Sequence, residues 1–427
     1  MYPDFHFLFL EVFGVDIPAL SLLKTFGFLV AMAFLVGSYV IYLELKRKEK
    51  DGLVTYSLEE VIKGKPASAY DYIVNILVGF LIGYKFLGMF MDRDISSPDP
   101  MNYLFSGKGF LLGGIVLAAL SFYLKYTTSK KESAEGERKV LLKTWPHTRV
   151  GDVAVIAAVG GFAGAKIFNA LETWDDFIRD PLGSLFSSSG LTFYGGLIVA
   201  TIALWYFSRK IKLDFRHLCD AAAPALILAY GIGRLGCQVS GDGDWGIYNS
   251  AFQTNAQGQV VEATVPFDSL KMMYADHLSR HFAVGDEIPH INFPGIAGLP
   301  QWLLAYNYPN NVNNVGVALQ ECSGDYCAVL PIPVFPTPLY EFIVCTLLFF
   351  LLWAFRKKMK VPLTMFGVYL ILNGLERFFV EKIRVNYKYD WGIIHPTQAE
   401  IISTCLIIFG IILLLVRKRI DTMFEKE

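Results

Sequence analysis

Residues Gln398–Val416 read QAEIISTCLIIFGIILLLV, with a single acid at the start and no charge from Ile401 to Val416. At 1.5 Å per residue, about 20 helical residues cross the roughly 30 Å of hydrocarbon in a bilayer. Working outward, blocks of the same kind recur at 18–43, 70–91, 109–127, 150–171, 190–208, 217–237, 336–355 and 362–384, so nine spans are expected. The 427 residues are 54% hydrophobic and 18% charged, and mean hydropathy is +0.41. Soluble domains carry about 25% charge. The fold class is therefore all-α, a polytopic membrane helix bundle. Its expected parts are helices one to six in 1–237, a large extracytoplasmic loop in 238–335, and the last three helices with a tail in 336–427. A net charge of −1 supplies no field for nucleic acid. The start MYPDFHF lacks a basic n-region, so no cleaved signal peptide is expected. The six cysteines show no metal-ligand spacing, and neither metal nor cofactor is expected.

Charge sorts the loops. Lys46, Arg47, Lys48 and Lys50 follow the first span, Lys130, Lys131, Arg138 and Lys139 the third, and Arg209, Lys210 and Lys212 the fifth. Arg356, Lys357 and Lys358 follow the seventh and Arg417, Lys418 and Arg419 the last. With nine spans, all lie on one side. The positive-inside rule then puts the N-terminus outside and the C-terminus in the cytoplasm. Lys382, Arg384 and Lys388 are the exception on the outer side.

The chain repeats itself. GFLIGYKF at 79–86, an acidic Pro-containing loop and GFLLGGIVLA at 109–118 match GFAGAKIF at 161–168, a similar loop and LTFYGGLIVA at 191–200. Gly79, Gly83 and Lys85 correspond to Gly160, Gly164 and Lys166, and the pair Gly113 and Gly114 to Gly195 and Gly196. Gly-x-x-x-Gly sets two small residues on one face, where helices approach closely. Helix packing alone is the plain alternative to a ligand-facing role for these glycines, and it suits the first copy better than the second.

Charge in hydrocarbon is costly and usually faces a cavity or a partner. Gly233, Arg234, Gly236, Cys237, Asp242, Asp244 and Gly246 close the sixth span in the run GRLGCQVSGDGDWG. The glycines permit tight turns, and the arginine fork suits phosphate oxygens. Arg377, Glu381 and Arg384 stand at i, i+4 and i+7, one helix face on which two arginines share a glutamate and leave positive charge for an anion. Tyr194 precedes Gly195 and Gly196 at the start of the fifth span, where an aromatic-belt role is the plain alternative. Tyr340 and Glu341 open the seventh span; Glu341 either orients an arginine or complements the helix dipole. His395, Gln398 and Glu400 either line the same pocket or form a capping turn. Cys322 and Cys327 suit either a local disulfide or a reduced pair.

Together these segments resemble the prolipoprotein diacylglyceryl transferase family. That family's Gly-Arg-x-Gly-Asn signature, followed by an acid and a glycine, resembles Gly233-Arg234-Leu235-Gly236-Cys237 with Asp242 or Asp244 and Gly246. Its arginine and the glutamate four residues on resemble Arg377 and Glu381. Its Pro-Ser-Gln-Leu-Tyr-Glu resembles Pro336–Glu341, its His-Gly-Gly-Leu resembles Tyr194–Leu197, and its Gly-Ala-Arg resembles Gly164-Ala165-Lys166. The departures are Cys237 for Asn, Tyr194 for His, Lys166 for Arg and Phe26 for a usual tyrosine, together with an extra helix pair. The resemblance implies a bacterial inner-membrane transferase with phosphatidylglycerol and the lipobox cysteine of prolipoprotein signal peptides as substrates. It implies Arg234 and Arg377 on the phosphate, with Arg384 behind them. The proton acceptor stays open among Tyr194, Asp242 and Glu381. A non-catalytic lipid- or lipoprotein-binding relative and a small-solute transporter are the competing classes.

Overall fold

The computed structural model describes residues 1–91, 103, 107–134, 136–186, 190, 192–282, 287–296, 298–320, 322, 324–386, 388–392 and 394–424. Its main helices are α1 (Phe5–Phe13), α2 (Thr25–Lys50), α3 (Ala69–Leu81), α4 (Leu111–Ser133), α5 (Val150–Glu172), α6 (Phe193–Lys210), α7 (Phe215–Ser240), α8 (Thr337–Phe355), α9 (Thr364–Glu381) and α10 (Gln398–Phe424). Each expected span is a helix, and the chain is a multi-pass membrane protein. Among the described residues, seven helices are long and apolar enough to cross a membrane, rather than the nine expected. α6 and α9, of 18 residues each, are long enough but not among them. α6 ends on Arg209 and Lys210, and α9 carries Glu376, Arg377 and Glu381. The acidic loop of the first repeat, at 92–102, lies outside the described residues.

The chain divides into two compact units, Met1–Glu44 with Arg216–Glu427, and Leu45–Phe215. The second holds both copies of the repeat. Ser68 and Asp71 close a reciprocal capping box that starts α3, and the helix runs on through a π-helical turn, Ile82–Leu87. A Cβ at Gly83 would overlap the Gly113 carbonyl, and one at Gly164 would overlap the Gly195 carbonyl. The matched glycines thus form two equivalent close helix crossings. Lys85 donates to the Tyr103 carbonyl at 3.3 Å, and Lys166 to the Ser184 carbonyl at 3.3 Å. In both cases the acceptor lies 18 residues downstream, so the matched lysines make matching hydrogen bonds. The basic loops pair as an antiparallel ribbon of β1 (Ser57–Lys63) and β2 (Arg138–Thr144), in register from Ser57 opposite Thr144 to Lys63 opposite Arg138.

In the first unit α2, α7, α8 and α9 share a core of Val40, Ala223, Ala225, Ile227, Cys345, Phe349, Leu352 and Met365. Leu363 enters α9 with φ +65°. Fully buried Asp220 of α7 accepts the Leu363 and Phe366 amides at 3.0 Å each, capping α9 from a neighbouring helix. Between α7 and α8 the expected loop is a folded lobe with its own core. Tyr248, Phe267, Leu270, Leu278, Tyr308, Leu330, Ile332 and Val334 are buried there. Asn311, also fully buried, donates to the Tyr308 carbonyl at 3.1 Å and the Val315 carbonyl at 2.9 Å, bracing the turn at 308–315.

Candidate active site

Where α7 passes into the lobe, three arginines converge on one carboxylate. Glu341, in the second turn's approach of α8, is fully buried. The Arg234 Nε meets its Oε2 at 2.7 Å. Arg384 Nη1 donates to its Oε1 at 3.1 Å, and Arg377 Nη1 lies 3.8 Å from the same oxygen. The Tyr230 hydroxyl, one turn before Arg234, also donates to Oε2. Glu341 therefore orients arginines, and the dipole alternative is not needed.

Asp244 bridges Arg234 and Arg384 from the lobe side, one carboxylate oxygen to each. It rides on a glycine-rich turn in which Gly241 and Gly243 take φ +67° and +97°, the left-handed region that favours glycine. The next glycine serves close approach. A Cβ on Gly246 would lie 2.7 Å from the Ile383 carbonyl and 2.8 Å from that of Phe335. The Gly246 amide donates to the Phe335 carbonyl and the Ile247 amide to the Ile383 carbonyl, each at 2.9 Å. This bridge clamps the signature turn against the segment that carries Arg384.

Two expectations change here. Arg384 does not share the Arg377–Glu381 face: α9 ends at Glu381, and Arg384 turns away to pair with Gly246 as an isolated bridge. Arg377 alone meets Glu381, at 3.0 Å, while Asn386 donates to the other oxygen of Glu381 at 2.7 Å. Nor is positive charge left over, because Arg234, Arg377 and Arg384 face Asp244, Glu341 and Glu381. Asp242 differs from Asp244. Its backbone carbonyl accepts from Asn313 at 2.6 Å, and its buried Oδ1 has no hydrogen-bond partner among the described residues.

Cys237 is buried, with its sulfur 4.0 Å from Arg234 Nη1. Gly236 packs on α2, where a Cβ would lie 3.1 Å from the Phe26 ring. Gly233 has open space around it. The Tyr340 hydroxyl donates to the Leu303 carbonyl of the lobe rather than to the arginines. Thr397 and Glu400 cap α10 reciprocally, at 3.0 and 3.2 Å, which favours the capping-turn reading. Cys322 and Cys327 are joined as a disulfide. Lys166, Tyr194, Gly195 and Gly196 belong to the second unit. There Lys166 is buried, Tyr194 packs edge-on to Phe193 at 5.6 Å, and the two glycines make the α5–α6 crossing.

A cavity of about 430 Å³ opens beside the arginines, lined by Asp242, Asp244, Trp245, Tyr248, Arg384 and Asn386 among others. Burial pushes the Tyr248 phenol up to about 12, so it stays protonated near neutral pH and keeps its proton available for a hydrogen bond. Two groups at the cluster escape sequence reading. Tyr230 sits four residues before Arg234. Glu376 is buried at 5% exposure, and neither of its carboxylate oxygens has a hydrogen-bond partner among the described residues. The signal for both was available, since ionisable or polar groups inside a span usually mark function.

The model of the family described as prolipoprotein diacylglyceryl transferase matches residues 114–416, more than half of the chain. The chain belongs to the prolipoprotein diacylglyceryl transferase family. Among its curated relatives are proteins named phosphatidylglycerol–prolipoprotein diacylglyceryl transferase. That of Stenotrophomonas maltophilia (strain R551-3) is 30% identical over 269 residues, 61% of this chain and 72% of the relative. That of Chlorobaculum tepidum is 28% identical over 322 residues, 72% of this chain and 83% of the relative. That of Leptospira interrogans serovar copenhageni is 28% identical over 257 residues, 54% of this chain, and the match spans only 60% of that relative's length. The family match starts at Gly114, so the first helix of the repeat, α3, lies outside it, whereas every residue of the arginine cluster lies inside.

Proposed function

We propose that this protein transfers the diacylglyceryl group of phosphatidylglycerol to the lipobox cysteine of a prolipoprotein, at the outer face of a bacterial inner membrane. The convergence of Arg234, Arg377 and Arg384 on buried Glu341 carries the reading. In the reaction the substrate sulfur forms a bond to the glyceryl carbon, the C–O bond to phosphate breaks, and glycerol phosphate departs with the electron pair. Preplaced cations lower the barrier to that departure. Asp244, a third exposed at its side chain, occupies the arginine face that a phosphate takes. Its glycine-flanked turn lets it withdraw into the adjoining cavity as the phosphate arrives. Glu341, deeper and fully buried, stays and keeps the guanidinium groups aimed.

The thiol, with pKa near 8.5, must lose its proton. We assign the acceptor role to Asp242, whose Oδ1 has neither a hydrogen-bond nor an ion-pair partner among the described residues, whereas Glu381 is held by an ion pair to Arg377 on one oxygen and a hydrogen bond from Asn386 on the other. Gly233, Gly236, Gly246 and Tyr340 shape the turn and its anchorage. The basic loops at 46–50, 130–139, 209–212 and 417–419 support an outside N-terminus and a cytoplasmic C-terminus.

The test is rescue of a bacterium depleted of its own diacylglyceryl transferase, followed by the gel shift of a tagged prolipoprotein. Rescue is expected, and Arg234→Ala is expected to lose about 100-fold or more of the transfer rate. A well-inserted protein that modifies neither the host's prolipoprotein nor one from its own source would overturn the reading in favour of a lipid-binding relative.

A further inference from the structure

Away from the arginine cluster, the lobe carries an apolar loop that the transfer reaction does not use. Residues 288–320 contain no Asp, Glu, Lys or Arg. Within this run the chain leaves the lobe at Phe293 and rejoins it at Leu304. One side chain clips both ends together. Fully buried Asn249 donates to the Phe293 carbonyl at 2.9 Å and the Leu304 carbonyl at 3.1 Å, and it accepts the Phe293 amide at 3.1 Å. Between these two clips runs the tip of the loop. That tip turns at Gly295 and Gly298, both at positive φ, and ends in a short helical turn, Gln301–Leu303.

The tip is built backwards for water. Ile296 is 60% exposed, Leu299 47% and Trp302 52%. Three large apolar side chains are exposed within seven residues of a segment without a charge. Exposed apolar surface concentrated in this way marks a contact with a partner or a membrane. The anchorage of the loop says which. The Tyr340 hydroxyl donates to the Leu303 carbonyl, and Tyr340 lies in the first turn of α8, which opens the candidate span Thr337–Lys358. The base of the loop is therefore tied to the first turn of α8, the end of that candidate span nearest the lobe. Tryptophan is enriched at the membrane–water interface, where its ring is part apolar and part polar.

We propose that this loop dips Ile296, Leu299 and Trp302 into the headgroup–acyl boundary of the bilayer and moors the lobe to the lipid surface. The inference needs only that α8 spans a membrane, so it stands whether or not the transferase reading does. Mooring fixes the height of the same lobe that carries Asp242, Asp244 and the cavity beside Arg384.

The test uses the full chain in vesicles of phosphatidylcholine and phosphatidylglycerol, with or without brominated acyl chains. The chain has seven tryptophans, so emission is read as the difference between the protein and Trp302→Phe. The difference emission is expected to be blue-shifted, to be largely lost in brominated vesicles, and to resist aqueous iodide. Leu299→Trp in the Trp302→Phe background is expected to restore bromolipid-sensitive emission. Quenching by iodide without quenching by brominated lipid would overturn the proposal in favour of a water-exposed tip. Insensitivity to both would overturn it in favour of a tip covered by protein.

Discussion

Glu341 is the residue on which the arginine cluster depends. Removing one partner from a buried ion pair typically costs about 3–5 kcal/mol, because the other charge stays buried and unmet. Glu341→Gln leaves Arg234 and Arg384 without their deep partner. It is expected to lower stability on that scale, seen as a fall in the melting temperature of the detergent-solubilised protein, and to abolish transfer. Asp244→Asn acts in the opposite sense on binding. It frees the lobe-side face of two arginines, so a soluble glycerol phosphate is expected to bind more tightly by calorimetry. Equal affinity would show that Asp244 does not occupy the phosphate position. The sequence singled out Arg234, Arg377, Glu381 and Glu341, which the structure brings together in one ion-pair cluster, because charges beside long apolar runs stand out. It misplaced Arg384, because helical spacing was extended past the end of α9, and it left Asp242 and Asp244 indistinguishable until their partners were seen.

Among the elements, the glycine crossings can be tested with an internal control. A Cβ at Gly164 would lie 2.6 Å from Val199 Cβ and would also overlap the Gly195 carbonyl, whereas a Cβ at Gly161 on the same helix has nothing within 4 Å. Backbone cannot yield as a flexible side chain does. Gly164→Ala is expected to destabilise by about 1–3 kcal/mol, while Gly161→Ala is expected to be near neutral. Thermal unfolding of both in one detergent checks this; equal shifts would mean that the crossing is loose. The repeat itself was legible, because matched glycines and lysines recur in order. The ribbon of β1 and β2 was not, because its strands lie in loops that announce themselves by positive charge. The shortfall of α9 as a span has a chemical cause, since Glu376, Arg377 and Glu381 lower its hydropathy. The lobe's core also escaped reading, because Phe267, Leu270, Leu278, Tyr308, Leu330, Ile332 and Val334 are scattered and form no periodic run.

At the scale of the whole molecule, the lobe and the helices have separate cores, so each can respond to a different stress. His277 makes the lobe sensitive to acid. It is 6% exposed, and its Nε2 has no hydrogen-bond partner among the described residues. Burial, helped by the neighbouring His281 and Arg280, pushes its imidazole down to about 4, against about 6.5 in an unfolded chain. Between these values the unfolded chain takes up a proton that the folded lobe refuses. The contribution is therefore fully present above about pH 6.5 and is lost as pH falls toward about 4, amounting to roughly 3 kcal/mol over the window. Hydrogen exchange of Phe267–Leu278 is expected to accelerate on going from pH 7 to pH 4.5, after correction for the intrinsic rate, while exchange in α8 and α9 holds steady. His277→Gln cannot take up the proton, so it is expected to flatten the dependence even if it lowers stability throughout. A variant that still loses protection to the same extent on acidification would assign the sensitivity to other groups in the lobe.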